Sequence, residues 1–206
     1  MADLATKQIN ELEEQLQRRK KLQDITNRIH SAQNIKQILV DLKDGILNLF
    51  DAHSITIYIV DRIRNEIFSM FLSGSKLSEI RVPINNRSIA GYVANNGKIV
   101  NIADAYDEKE LRAIDKELSF DSSWDKKSGF RTRQILTAPI FHNGKLMGAV
   151  QILNKKSTVN GGRFSEDEKG FLNEITEVLG VAFFNQERFA RRRKTRFDYL
   201  ISRDLL

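Results

Sequence analysis

The chain has 206 residues, and its 33 Lys and Arg against 27 Asp and Glu give a formal net charge of +6. Apolar residues make up 41% of the sequence, which is enough for one domain with a full hydrophobic core and helical extensions. Because the sequence contains no cysteine, it excludes disulfides, thiolate metal sites, a cysteine nucleophile and a thioether-linked cofactor.

The sequence predicts neither a membrane span nor a metal centre. The uncharged run Val178–Phe184 is far shorter than the ~20 residues that a spanning helix needs. The first residues lack the basic and apolar regions of a signal peptide, so we expect a cytoplasmic protein. His30, His53 and His142 lie far apart and do not have the spacing of metal ligands.

The first predicted helix covers residues 4–31, which contain no Gly or Pro. A narrow apolar seam runs along it and changes phase near Lys20. The seam residues are Ile9, Leu12 and Leu16 before the change and Leu22, Ile25 and Ile29 after it. Such a seam needs a partner helix, from the same chain or from a second copy. We interpret residues 1–33 as a signalling and dimerisation helix, partly of coiled-coil type.

The elements that follow alternate between helix and strand patterns. A wider apolar stripe predicts a second helix over 34–50 that packs on a core. Next come strands over 54–61, 66–74 and 79–84, a helix over 88–96, an extended segment over 99–102, strands over 134–142 and 145–153 joined by Asn143-Gly144, and a helix over 165–190 that begins with a Ser165–Glu168 capping box. They predict an α+β domain whose terminal helices cover one face of an antiparallel sheet.

Residues 85–133 are too many for a simple connection, so we expect them to cover the other face of the sheet. Within 104–130 there is one weak helical pattern, at Leu111, Ile114 and Leu118. We expect the carboxylates of 104–117 at the surface. Trp124 is interpreted either as a packing anchor of this segment or as a stacking platform.

The start of the 88–96 helix has two interpretations. Ser88 opens the helix and leaves the backbone N–H groups of Ile89, Ala90 and Gly91 without intrahelical partners. Such an end can bind an anion, and the small Ala and Gly side chains would let a ligand approach closely. The alternative is simply a capped helix.

The positive charge is concentrated near the end of the chain. Residues 188–196 hold six Arg or Lys and no acid, and the rest of the sequence is neutral overall. We interpret 189–206 as a basic linker and the start of a downstream segment. A surface for an acidic partner is an alternative. Nucleic acid binding is disfavoured, because the cluster is expected at the end of a long helix, where cations are favoured, rather than spread along a binding face.

Two stretches, RSIAGYVANNGKIVNIADAY and SGFRTRQILTAPI, resemble the GAF domains of cyclic-nucleotide phosphodiesterases and of certain bacterial adenylyl cyclases. The resemblance covers residues 34–188 and includes the later signature of Asn154, Lys155, Phe164 and an acid at Asp167 or Glu168. It implies a GAF (PAS-like) fold with about six antiparallel strands, and a lid, residues 104–133, over a buried ligand.

The resemblance also implies a set of ligand contacts. The amides of Ile89 and Ala90 would meet a cyclic phosphate, and Thr56 and Phe71 would contact the purine. Further polar contacts would come from Asp125, Ser128, Thr132 and Gln151. Leu72 stands where guanine-binding relatives carry Asp, so guanine selectivity is disfavoured relative to adenine. Lys155 and Glu168 would support the pocket from outside as a partly exposed pair, contributing no more than about 1 kcal/mol.

These observations lead to three functional hypotheses. The first is a non-catalytic sensory domain that binds a small ligand, cAMP or cGMP, and signals through flanking helices of a homodimer to a downstream effector. The second is a ligand-free scaffold for dimerisation or for docking another domain. Residues 197–206 weakly resemble the opening of a domain of secretion and pilus ATPases, so such a scaffold would be the regulatory segment of an ATPase of that type. An enzyme is disfavoured, because the branch of the fold that reduces free methionine sulfoxide uses cysteines and this chain has none.

Overall fold

The computed structural model describes residues 2–31, 42–73, 76–157 and 162–204. In chain order, the elements of these ranges are α1 (Ala2–Ser31), α2 (Lys43–Leu49), β1 (Ala52–Asp61), β2 (Glu66–Ser73), β3 (Lys76–Pro83), α3 (Ile89–Asn96), β4 (Val100–Ile102), α4 (Glu108–Ile114), α5 (Ser123–Ser128), β5 (Ile135–His142), β6 (Lys145–Lys155) and α6 (Glu166–Asp204). Within these ranges no helix is both long enough and apolar enough to cross a membrane.

The strands form one antiparallel sheet in the order β3-β2-β1-β6-β5-β4. The β5–β6 hairpin turns at Asn143 and Gly144, whose φ angles of 48° and 72° fit the two-residue turn that Asn-Gly favours. The register of β1 and β6 places Thr56 opposite Gln151 at the centre of the sheet. Two polar side chains predicted to bind the ligand are therefore neighbours.

One face of the sheet packs against α1, α2 and α6. The largest core cluster joins Leu22, Ile25 and Ile29 of α1 to β5, β6 and the buried side of α6. Gly180 lets α6 pack directly on β5, because a Cβ there would overlap the carbonyl oxygen of Phe141. Burial of this apolar surface holds both terminal helices on the sheet.

The other face is covered by α3 and by the lid segment, residues 104–133, which contains α4 and α5. Its apolar anchors include Leu111 and Leu118, both buried. The predicted α+β fold is confirmed, with six antiparallel strands, terminal helices on one face and a lid on the other.

Two differences from the predicted elements have physical causes. The lid contains two short helices where one weak pattern was predicted, because α5 has too few apolar residues to produce a periodic signal. The last helix continues to Asp204, beyond the predicted end at 190, since Arg and Lys are good helix formers. In α1, Leu22 is buried while Ile9, Leu12 and Leu16 remain more than half exposed, as the phase change indicates. Of the second predicted helix, residues 34–41 lie outside the described ranges.

Candidate ligand-binding site

A cavity of about 1000 Å³ lies between the sheet and the lid. Strands β1, β2, β3 and β6 form its floor, the start of α3 forms one wall, and residues between 119 and 132 form its roof. Its volume is at the upper end of the roughly 300–1000 Å³ range typical of small-molecule sites. The space between sheet and lid is therefore open and large enough for a nucleotide.

Six of the predicted ligand contacts line this cavity. They are Thr56, Ile89, Ala90, Asp125, Thr132 and Gln151. Phe71, Leu72 and Ser128 belong to described elements, but their side chains lie outside the described part of the structure. Trp124 also lines the cavity and is 42% exposed.

The floor presents a polar pair in an apolar setting. The Tyr58 hydroxyl donates to Oε1 of Gln151 at 3.4 Å, beside the Thr56–Gln151 pair. Burial raises the pKa of Tyr58 to about 12, because the phenolate would lose its hydration. Both side chains line the cavity, so the Gln151 amide can form hydrogen bonds with a bound molecule.

The wall is formed by the first turn of α3. Ser88 caps the helix, and its Oγ accepts from the N–H of Gly91 at 3.1 Å. A Cβ on Gly91 would lie 2.5 Å from the carbonyl oxygen of Pro83, so only glycine lets α3 pack this closely against the end of β3. The amides of Ile89 and Ala90 precede the first intrahelical bonds, which leaves them without partners in the helix.

The roof is fastened by Asp125. One of its carboxylate oxygens accepts from the Thr132 N–H at 2.7 Å and from the Tyr106 hydroxyl at 2.8 Å. The other accepts from the Thr132 hydroxyl at 2.7 Å. The hydrogen bond to Asp125 is the main cause of a raised Tyr106 pKa. Asp125 and Thr132, which the resemblance assigned to the ligand, therefore hold the lid together in this structure.

Behind the roof, Asn154 connects the end of β6 to the chain that enters β5. Its side chain donates to the Arg131 carbonyl at 2.7 Å and accepts from the Arg133 N–H at 2.7 Å. Its φ of 53° is left-handed, a conformation that Asn adopts more readily than most residues. The structure thus places Asn154 outside the cavity as a support of the lid.

Lys155 and Glu168 form the predicted ion pair at 2.9 Å; the Lys155 side chain is partly exposed, at 19%, but Glu168 is more buried than expected. The Glu168 side chain is only 3% exposed, because it also caps α6 by accepting from the Ser165 N–H at 2.7 Å. Glu168 rather than the exposed Asp167 is therefore the acid of the signature. Phe164 is buried beside them and packs edge-on against Phe50.

The sequence did not predict two contacts that tie the lid and β4 to the chain before α6. Glu110 was expected at the surface, but its side chain is only 11% exposed and accepts from the N–H of Ala103 at 2.9 Å and from Arg163 at 2.7 Å. Asn101 bonds both the carbonyl and the N–H of Phe164. Arg163 and Phe164 lie more than fifty residues along the chain from Glu110 and Asn101, so no local pattern could have identified these two contacts.

A sheet with helices on one face and a covered cavity on the other is the architecture of a domain that can enclose a small ligand. Residues 34–183 match the family model of the GAF domain. The chain belongs to the GAF family.

Two curated relatives are cyclic-nucleotide phosphodiesterases. The chain is 36% identical over 129 residues to dual 3',5'-cyclic-AMP and -GMP phosphodiesterase 11A of Takifugu rubripes, covering 62% of this chain and 13% of the relative. It is 23% identical over 188 residues to the probable 3',5'-cyclic phosphodiesterase pde-5 of Caenorhabditis elegans, covering 86% of this chain and 24% of the relative. The chain thus spans a quarter or less of these relatives' length.

Solved structures show the same fold at low identity. The GAF domain of Acinetobacter phosphoenolpyruvate-protein phosphotransferase superposes with a TM-score of 0.64 at 16% identity, covering 85% of this chain and 98% of that domain. Free methionine-R-sulfoxide reductase from Neisseria meningitidis, solved with its substrate, gives 0.63 at 17% identity, covering 83% and 90%. The fold therefore occurs in the GAF domain of a phosphotransferase and in a methionine sulfoxide reductase.

Proposed function

We propose that this chain is a non-catalytic regulatory module that binds a cyclic nucleotide, cAMP or cGMP, in the cavity under the lid. The observation that carries the proposal is the open space of about 1000 Å³ between the sheet and the lid. A scaffold without a ligand would be expected to fill this space with its own side chains. The two phosphodiesterase relatives favour a cyclic nucleotide as the ligand.

The lining matches the parts of such a ligand. Ile80, Val82 and Leu153 offer apolar surface to a purine, while Thr56 and Gln151 can bond its polar edge. The amides of Ile89 and Ala90 would face the cyclic phosphate at the positive end of α3. Because the sequence has Leu72 where guanine-binding relatives have Asp, we expect cAMP to bind at least as tightly as cGMP.

Calorimetric titration with cAMP and cGMP tests the proposal. We expect binding to the wild-type protein and at least about tenfold weaker binding by the Thr56→Ala/Gln151→Ala variant, because two hydrogen bonds are lost. The control is Thr137→Val. Thr137 pairs with Gln151 across the sheet, and its buried hydroxyl has no hydrogen-bond partner among the described residues. The absence of heat and of competition at high micromolar cAMP and cGMP would refute cyclic nucleotide binding.

We further propose that the terminal helices carry the signal in a homodimer. The exposed seam of Ile9, Leu12 and Leu16 offers α1 a partner helix from a second copy. Within one chain, Arg19 of α1 pairs with Glu174 of α6 at 2.7 Å, so the two helices are linked near the core. A downstream effector would receive the signal from α6. A cytoplasmic location stays a prediction from the sequence.

A further inference from the structure

The charged side chains around the cavity differ in whether they already have ion-pair partners. The ionisable side chains that line it, Tyr58 apart, are Lys43, His53, Arg81, Arg87, Asp121 and Asp125. The Arg81 guanidinium contacts three carboxylates, with Asp61 at 2.9 Å, Glu66 at 3.3 Å and Glu79 also bound. Its charge is offset by these neighbours, so Arg81 serves the sheet edge rather than a ligand.

Arg87 differs from Arg81 in its contacts. Its backbone is fixed at both ends, since its N–H donates to Asn85 at 3.0 Å and its carbonyl accepts from the Ser119 hydroxyl at 2.7 Å. Its side chain is exposed and forms no ion pair with any residue that the structure describes. A rigid backbone thus presents an uncommitted guanidinium at the mouth of the cavity.

Arg87 adjoins the end of α3 at which the cyclic phosphate is proposed to bind. It directly precedes Ser88, the N-cap of α3, and the Ser88–Ser119 bridge joins this corner to the roof. A guanidinium can donate two parallel hydrogen bonds to phosphate oxygens, which a backbone amide cannot do alone. Lys43, which also lines the cavity, begins α2 and therefore does not belong to the segment that leads into α3.

We propose that Arg87 contacts the phosphate of the bound ligand and makes the cavity select an anionic cyclic nucleotide over the uncharged nucleoside. This inference rests on the proposed function. Asp121 and Asp125 line the same cavity, and their negative charges would repel a phosphate that approached the roof and so favour the Arg87 corner. The charges and the fixed backbone together place the phosphate end of the ligand at Arg87.

The test compares Arg87→Ala and Arg87→Lys with the wild-type protein. Calorimetry with cAMP is expected to show roughly tenfold or greater weakening for Arg87→Ala, because a charge-assisted pair is lost. Arg87→Lys keeps the charge but not the fork, so it should weaken cAMP binding less. Competition by adenosine, which has no phosphate, should be unchanged in both variants. Arg64→Ala is the matched control, since Arg64 is an exposed arginine that does not line the cavity.

Salt dependence provides a second measurement. Between low and high NaCl the wild-type affinity for cAMP should fall more steeply than that of Arg87→Ala, because salt screens an exposed pair. Equal cAMP affinity in wild type and Arg87→Ala, equal weakening of cAMP and adenosine, or equal salt slopes would each overturn the assignment while leaving the proposed function intact. A wild-type protein that binds neither cAMP nor cGMP would refute the proposed function, and this inference with it.

Discussion

Tyr58 lies buried in the floor of the cavity, and burial raises the pKa of its hydroxyl to about 12. In the unfolded chain the group would titrate near its ordinary value of about 10. Below pH 10 both states hold the proton. Between pH 10 and 12 the unfolded state alone releases it, so stability should fall by about 2–3 kcal/mol.

Urea unfolding at pH 9 and at pH 11.5 measures this loss. Tyr58→Phe has no hydroxyl to titrate, so its stability should fall less than that of the wild type over the same interval. Parallel losses in the two proteins would contradict the role assigned to Tyr58.

The ion pair of Lys155 with the buried Glu168 makes a second prediction for a single residue. Lys155→Met leaves the carboxylate buried without its cation, and we expect a loss of about 3 kcal/mol in the free energy of unfolding. The control is Lys169→Met, whose partner Glu166 is 84% exposed, so this pair should be worth less than about 1 kcal/mol. Adding Glu168→Gln should restore part of the loss. A variant no less stable than the control would contradict the prediction.

At the scale of single residues, the sequence predicted the contacts between residues that lie close together in the chain. Ser165 and Glu168 are three residues apart, and the structure contains both hydrogen bonds of their capping box. Sequence could not predict that the Asp125 carboxylate would be occupied by Thr132 and Tyr106, because that depends on how the lid folds over the sheet. The Glu110–Arg163 pair was missed for the same reason.

Among the elements, the lid depends on one side chain. Asp125→Asn removes the charge that three hydrogen bonds from Thr132 and Tyr106 use, and we expect the lid to open more often. Hydrogen exchange measured by mass spectrometry should rise across residues 104–133 and stay unchanged in α6. The pKa of Tyr106 should also fall toward its ordinary value, because Asp125 is the first cause of its rise.

A matched control is Asp24→Asn, which removes one exposed carboxylate from α1, far from the lid. Unchanged exchange in the lid of Asp125→Asn, or an equal rise in the control, would show that these bonds do not hold the lid.

The order and type of the long elements were predictable from apolar periodicity. The short helix α5 was not predicted, because tertiary bonds rather than its own pattern stabilise it.

At the scale of the whole molecule, the exposed apolar residues of α1 predict a dimer. Ile9, Leu12 and Leu16 are 55%, 63% and 55% exposed, and each would gain about 1.5–3 kcal/mol by burial in a partner. We expect the wild-type protein to sediment as a dimer. Replacing all three by Gln, which preserves helix propensity, should weaken the dimer at least about a hundredfold.

The control for this experiment replaces Gln15 and Gln23, exposed polar residues of the same helix, by Ala. A monomeric wild type at about 100 μM, a concentration that populates dimers with Kd values in the micromolar range, would contradict the assembly. Persistence of the dimer in the triple variant would place its interface elsewhere.

The seam itself was visible in the sequence, but which half of it the fold would bury was decided by the packing of α1 on the sheet.

Gly180 has a mechanical consequence for the entire chain. No side chain cushions α6 against β5 at this point, so a shift of the strand must move the helix as well. About 36 Å of helix extends from Gly180 to Asp204 at a rise of about 1.5 Å per residue. A tilt of about 5° at this fulcrum displaces the far end by about 3 Å over that length. Such a tilt would turn a small adjustment in the sheet into a displacement as large as half a helical turn at the end of α6.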